Sequence, residues 1–216
     1  MNYNELLVSY INKCPFDEPI FIEDIKDYFK RLIKNNNLYE KTIKKIYVYI
    51  NRLVKKNVIV QFIKGIYYKP LQGAFGPKLL NPDKVITKKY LYDTDGHKGY
   101  YTGASLFNNV GLTTQVPNEV YIITNECPNN NEYYNKQLKV TIRKPRIPIT
   151  DENYLYLQLF EILNNPDDIN IEVEDEKVKE IVHKYIEECK IDVIKLMEFA
   201  KKTNNKKAIL KLYELV

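Results

Sequence analysis

The sequence predicts an α+β protein in which an N-terminal winged helix-turn-helix precedes a small mixed α/β domain that ends in C-terminal helices. Three observations predict it. Within residues 1–70, three amphipathic helical patterns lead into a β-branched and aromatic hairpin pattern. Residues 71–82 (Leu-Gln-Gly-Ala-Phe-Gly-Pro-Lys-Leu-Leu-Asn-Pro) are rich in Gly and Pro and read as a linker. Over 83–216, strand-like runs give way to helical stripes, an α/β part at 83–147 and a helical part at 151–216.

The first helix runs from Tyr3 to Asn12, where Leu6, Leu7, Tyr10 and Ile11 share a face. Pro15 and Pro19 break the chain. Phe21 enters a second helix striped by Ile22, Ile25, Tyr28, Phe29, Leu32 and Ile33, and Asn35-Asn36-Asn37 ends it. A third helix spans about Tyr39 to Lys56, with Ile43, Ile46, Tyr47, Ile50, Leu53 and Val54 inward. Asn57 is a helix stop, and Lys64-Gly65 joins the strand patterns Val58–Ile63 and Ile66–Tyr68. Three helices and a hairpin are the winged-helix order. Opposite the apolar stripe of the third helix lie Lys41, Thr42, Lys44, Lys45, Val48, Tyr49 and Arg52, a face of the kind a major-groove helix presents to bases. Lys55, Lys56 and the hairpin-tip Lys64 would reach phosphates. The same lysines also suit a merely solvated helix face, and winged helices serve as protein-docking modules too.

Past the linker, 83–92 is a basic helical segment carrying Lys84, Lys88 and Lys89. Thr102-Gly103-Ala104 opens an apolar helix through Leu106, Phe107 and Val110, and Gly111 ends it because glycine takes positive φ without a Cβ penalty. A polar turn, Thr113-Thr114-Gln115, and Pro117 lead into the strand Val120–Thr124. An Asn-rich loop at 129–131 precedes a second strand, Gln137–Arg143, with Leu138, Val140 and Ile142 alternating on one face. Helical stripes follow from Tyr154 to Leu163, Val178 to Ile186, Asp192 to Ala200 and Ala208 to Tyr213. Their acidic outer faces, including Glu172, Glu174, Asp175, Glu176, Glu187 and Glu188, are open to a basic partner.

At 216 residues the chain is long enough for one large domain or two small ones. The net charge of +5 is unevenly spread. Residues 1–70 hold 13 Lys/Arg against 7 Asp/Glu, 71–150 hold 10 against 6, and 151–216 hold 10 against 15, so a polyanion suits the first part. No apolar run is long enough for a membrane span and no signal pattern opens the chain, which predicts a cytoplasmic protein without membrane contact. Cys14, Cys127 and Cys189 form no C-x-x-C pair, and His97 and His183 have no metal-ligand spacing, so neither metal nor cofactor is expected. Asp93-Thr-Asp-Gly96 is like the middle of a calcium loop, but Leu91 and Thr102 fall where acidic ligands are needed. Asp93, Asp95 and Glu119 lack the acid-x-Lys spacing of a metal nuclease, and no Walker loop or nucleophile elbow occurs. The chain is therefore expected not to be an enzyme.

The segment Gly99–Thr124 closely resembles the core signature of AbiEi-type antitoxins from type IV abortive-infection toxin–antitoxin systems, a form of phage defence. That signature reads small-Gly-Ala-x-x-Leu-x-x-x-Gly-Leu-Thr-Thr-Gln-Val-Pro, and Gly103, Gly111, Thr113, Thr114, Gln115 and Pro117 match it. Ile50–Ile59 with Lys64–Pro70 looks like the end of the family's N-terminal domain, with Asn57 where the family has glycine. The resemblance implies an antitoxin that also acts as a transcriptional autorepressor at promoter inverted repeats and counteracts a nucleotidyltransferase-like toxin, without implying a stable complex with it. A stand-alone winged-helix regulator with a ligand-binding or dimerising C-terminal domain is the alternative. The Thr-Thr-Gln turn has two readings, as architecture satisfying local backbone groups or as a contact surface for toxin or nucleic acid.

Overall fold

The computed structural model describes residues 2–128 and 132–215 as a mixed α+β chain in two compact units, Met1–Val85 and Ile86–Val216. The first unit opens with α1 (Tyr3–Lys13), started by the Asn2 side chain accepting from the Asn4 N–H at 3.2 Å. β1 (Pro19–Phe21), α2 (Ile22–Leu32) and α3 (Asn36–Lys55) follow, then the hairpin β2 (Val60–Ile63) and β3 (Ile66–Tyr68). β3 is the centre of an antiparallel sheet ordered β1-β3-β2. Leu7, Ile11, Ile25, Phe29, Ile46, Ile50 and Ile59 form its core, and each is essentially inaccessible to water.

Three details depart from the sequence reading. β1 was not expected: Pro19 ends no helix but begins a strand, where its missing N–H does no harm, and it pairs with Tyr68. The Asn35–Asn37 run does not close α2. Asn35 caps α3 instead, its Oδ1 accepting from the Leu38 N–H at 3.0 Å. Tyr47, expected in the inner stripe, is 39% exposed, with the Lys26 ammonium 5.6 Å from its ring centre. Residues 71–82 hold a small hairpin, β4 (Gln72–Gly73) with β5 (Gly76–Pro77), tied back where the Tyr68 hydroxyl donates to the Lys78 carbonyl at 3.2 Å. α4 (Pro82–Ile86) comes next, and Lys84 bridges to Asp17 and Glu18 at 2.8 and 3.1 Å.

In the second unit a π-helical turn, Thr87–Leu91, precedes the short hairpin β6 (Tyr92–Asp93) and β7 (Gly96–His97). β8 (Gly99–Tyr101), α5 (Gly103–Val110), β9 (Val120–Thr124), β10 (Tyr133–Asn135) and β11 (Val140–Arg143) then build a sheet ordered β10-β11-β9-β8. β9 and β11 run parallel, and the outer pairings are antiparallel. β11 is buried on both faces, Thr141 included, and β10 was not anticipated because Tyr133 and Tyr134 are exposed at the sheet edge. The loop expected at 129–131 lies outside the described residues. Four helices complete the unit: α6 (Tyr154–Asn164), α7 (Asp175–Glu188), α8 (Val193–Thr203) and α9 (Lys206–Leu215). α6 is the most buried of them, and Leu159, Phe160 and Leu163 pack in one cluster with Phe107, Val182 and Leu196.

Candidate nucleic-acid interface

α3 is a twenty-residue helix with one buried arc, and five of its charged residues are cations against one acid. Lys41, Lys44, Lys45, Arg52 and Lys55 are exposed along it, Lys56 follows at its end, and Lys64 is exposed at the β2–β3 turn. Among the described residues none of these seven cations is held in an ion pair; Glu40 is the single acid of the helix. Uncompensated charge of one sign on a helix face is the arrangement that neutralises phosphates. Val48, 49% exposed, and Tyr47 supply apolar surface among the lysines.

Two expected members are placed otherwise. Thr42 is only 2% exposed, and its hydroxyl donates to the Leu38 carbonyl at 2.7 Å, so it belongs to the core and presents nothing to a ligand. The buried arc of α3 is turned toward Thr42 and away from Tyr47, which exchanges the two positions expected from polarity alone. Tyr49 is half-buried at the edge of the same core, with the Arg52 guanidinium 5.5 Å from its ring centre. Tyr49 thus steadies Arg52 rather than presenting a free aromatic. Sequence reasoning missed Tyr47 as a surface residue, because an aromatic at helical spacing reads as core.

In the second unit the six signature residues bound α5 and form the turn that follows it. Gly103 starts α5 at φ +56°, and a Cβ there would stand 3.1 Å from an Asp167 carboxylate oxygen. Gly111 ends α5 at φ +81° in the left-handed region. Thr113 is buried, and its hydroxyl accepts from the Gln115 N–H at 3.2 Å. The next two residues converge on one carboxylate. Glu172 accepts from the Thr114 N–H at 2.7 Å, the Thr114 hydroxyl at 2.6 Å and the Gln115 side-chain amide at 3.2 Å. The Glu172 N–H donates in turn to the Leu112 carbonyl at 3.0 Å. Donation from the Thr114 hydroxyl, then from its N–H, holds the Glu172 carboxyl below the usual range. Glu172 was expected on an open acidic face; it is instead the partner of the signature turn. Pro117 is half-buried beyond the turn.

Several other titratable groups of the second unit are also engaged. His97 Nδ1 lies 2.6 Å from Asp151, and its ring stacks on Tyr154 at 3.7 Å. Asp93 is bonded to Lys98, and Asp93 Oδ1 accepts from the Asp95 N–H at 2.8 Å. Glu161 accepts from the Thr102 hydroxyl at 2.6 Å, and burial pushes its pKa up. Among the described residues no three His, Cys, Asp or Glu side chains are grouped to hold a metal ion. No helix of those residues is long and apolar enough to cross a membrane.

Comparison with curated proteins returns no match. A family match spans residues 23–191, from within α2 through α7, and so takes in the cationic face of α3 and the signature turn with Glu172. That match covers well over half of the 216 residues, and the chain belongs to the family of unknown function DUF6088.

Proposed function

We propose that this chain is a DNA-binding antitoxin of an abortive-infection system, a cytoplasmic autorepressor with no catalytic activity of its own. The observation that carries the DNA-binding part is the row of seven exposed cations along α3 and the β2–β3 turn, none in an ion pair among the described residues. The order of three helices and a hairpin is that of a winged helix, with α3 as the major-groove helix and Lys64 at the wing tip. Lys41, Lys44 and Lys45 lie in the helix's N-terminal half, the part that comes closest to bases, while Lys55, Lys56 and Lys64 reach phosphates. The antitoxin part rests on the resemblance of Gly103–Pro117 to the AbiEi signature, and its target is a nucleotidyltransferase-like toxin.

Within that signature the Thr114 and Gln115 donors are spent on Glu172, which favours architecture over a contact surface for the turn. Neutralisation would then draw on other faces of the second unit, such as the acidic exterior of α7, where Glu176, Glu180, Glu187 and Glu188 are exposed. The test has two readouts, retention of the chain's own promoter DNA in a mobility shift and rescue of cells expressing a neighbouring nucleotidyltransferase gene. Promoter binding without rescue would leave a stand-alone regulator, and loss of both would overturn the proposal.

A further inference from the structure

Two adjoining cavities in the second unit share Arg146, Glu161, Pro166 and Asn205 in their walls. One, of about 210 Å³, has an apolar side made by Tyr100, Ile123 and Leu157. The other, of about 470 Å³, is bordered by Lys206 and Lys207 at the start of α9. Glu161 is the single carboxylate among the lining residues, whereas Arg143, Arg146, Lys206 and Lys207 all carry positive charge. Two of these cations, Lys206 and Lys207, come from the segment 151–216, whose net charge is negative, and meet two from the segment before it.

The cations differ in how they are held. Arg143 is already engaged, donating to Asp167 at 2.9 and 3.1 Å and to Glu132 at 2.7 Å. Arg146 is held only by neutral acceptors, the Thr203 carbonyl at 3.0 Å and Asn205 Oδ1 at 3.4 Å, and among the described residues no carboxylate pairs with it. Asn205 Oδ1 accepts from Asn164 at 3.0 Å, and the Asn205 amide donates to the Thr203 hydroxyl at 2.8 Å. The Asn205 side chain is therefore committed to Arg146, Asn164 and Thr203. The first-turn N–H groups of α9 are left without a side-chain cap among the described residues. A guanidinium with no carboxylate in hydrogen-bond contact among the described residues, two exposed lysines and an uncapped ten-residue helix thus border the cleft that Glu161 also lines.

We propose that this cleft binds a small phosphorylated ligand of nucleotide size, its phosphates against Arg146, Lys206 and Lys207 and its ring in the apolar chamber. The larger cavity is by itself in the size range of small-molecule sites. Glu161, bonded to Thr102, bounds the phosphate region and disfavours additional negative charge on that side, so Glu161→Gln should tighten binding. The inference does not rest on DNA binding by α3.

The test titrates the full chain with ATP, GTP, adenosine and inorganic phosphate by calorimetry at low and moderate salt. A nucleoside triphosphate should bind, phosphate should bind more weakly, and adenosine should not bind. Lys206→Gln with Lys207→Gln should weaken the triphosphate about tenfold or more, as loss of charge-assisted contacts does. The same change at Lys201 and Lys202, exposed on α8 and outside both cavities, should leave binding unchanged. All these positions are exposed, so folding survives; circular dichroism checks it. Equal weakening by both pairs would reduce the effect to diffuse charge and overturn the proposal. So would adenosine binding as well as ATP, absence of binding at low salt, or displacement of ATP only by an oligonucleotide.

Discussion

Replacing Lys41, Lys44, Lys45 and Arg52 together with alanine separates a groove-facing helix from one that is merely solvated. All four are exposed and unpaired among the described residues, so the fold has little to lose. The ring contact removed is Arg52 over Tyr49 at 5.5 Å, one turn apart on the same helix and worth about 0.5–1 kcal/mol at an exposed site. The effect on DNA should be far larger. If each side chain neutralises one phosphate, the slope of log K against log salt should flatten by about 0.9 per residue, or about 3.6 for four. A side chain that reads a base adds roughly 1–3 kcal/mol of discrimination, so the loss on promoter DNA should exceed that on unrelated duplex. Fluorescence anisotropy on labelled promoter duplex, repeated from about 50 to 200 mM salt, measures slope and affinity together over the range where phosphate contacts dominate. An unchanged slope with an unchanged melting curve would refute the assignment of α3 as the DNA-facing helix.

A Cβ added at Gly111 would meet nothing within 4 Å, so substitution there costs only the left-handed backbone. Gly111→Ala should lower stability by about 1–2 kcal/mol while Gly111→Asn stays close to wild type; equal losses in denaturant melts would contradict this. Glu172→Gln probes the signature clamp. Because the Glu172 pKa is lowered in the folded state, its contribution is present above the unfolded value and is lost as pH falls through the folded one. The melting-temperature advantage of wild type over Glu172→Gln should therefore stand at pH 6 and vanish in strong acid, and a gap constant with pH would contradict the clamp. Thr114→Ala and Gln115→Ala should lower melting temperature and rescue in step; lost rescue with unchanged melting would make the turn the neutralising surface. A fragment of residues 1–85 should melt cooperatively and bind DNA with strong salt dependence yet fail to rescue from toxin, and an unfolded fragment would disprove its independence.

The helices and central strands were legible because their burial repeats at a local period. Ile43, Ile46 and Ile50 mark the inner face of α3, and Val120–Thr124 forms β9 over the expected residues. Gly111 was equally legible as a helix end, since positive φ is a property of one residue. β1 and β10 were not, because each is three residues long and owes its existence to a partner strand rather than to a pattern of its own. Thr42 and Tyr47 exchanged places because polarity says what a side chain prefers, while the packing neighbours of α3 decide which arc of the helix is covered.

The sequence by itself determined the mixed α+β class, the order of the main helices and strands, and the cationic composition of α3. These follow from backbone propensity, periodicity and charge, all of which are local. The tertiary structure alone decided that Glu172 answers Thr114 across 58 residues, and that Arg146 meets Lys206 and Lys207 around a cleft. Hydrogen bonds and cavities depend on distances between segments, and a chain's periodicity carries no information about which distant polar groups packing will bring together.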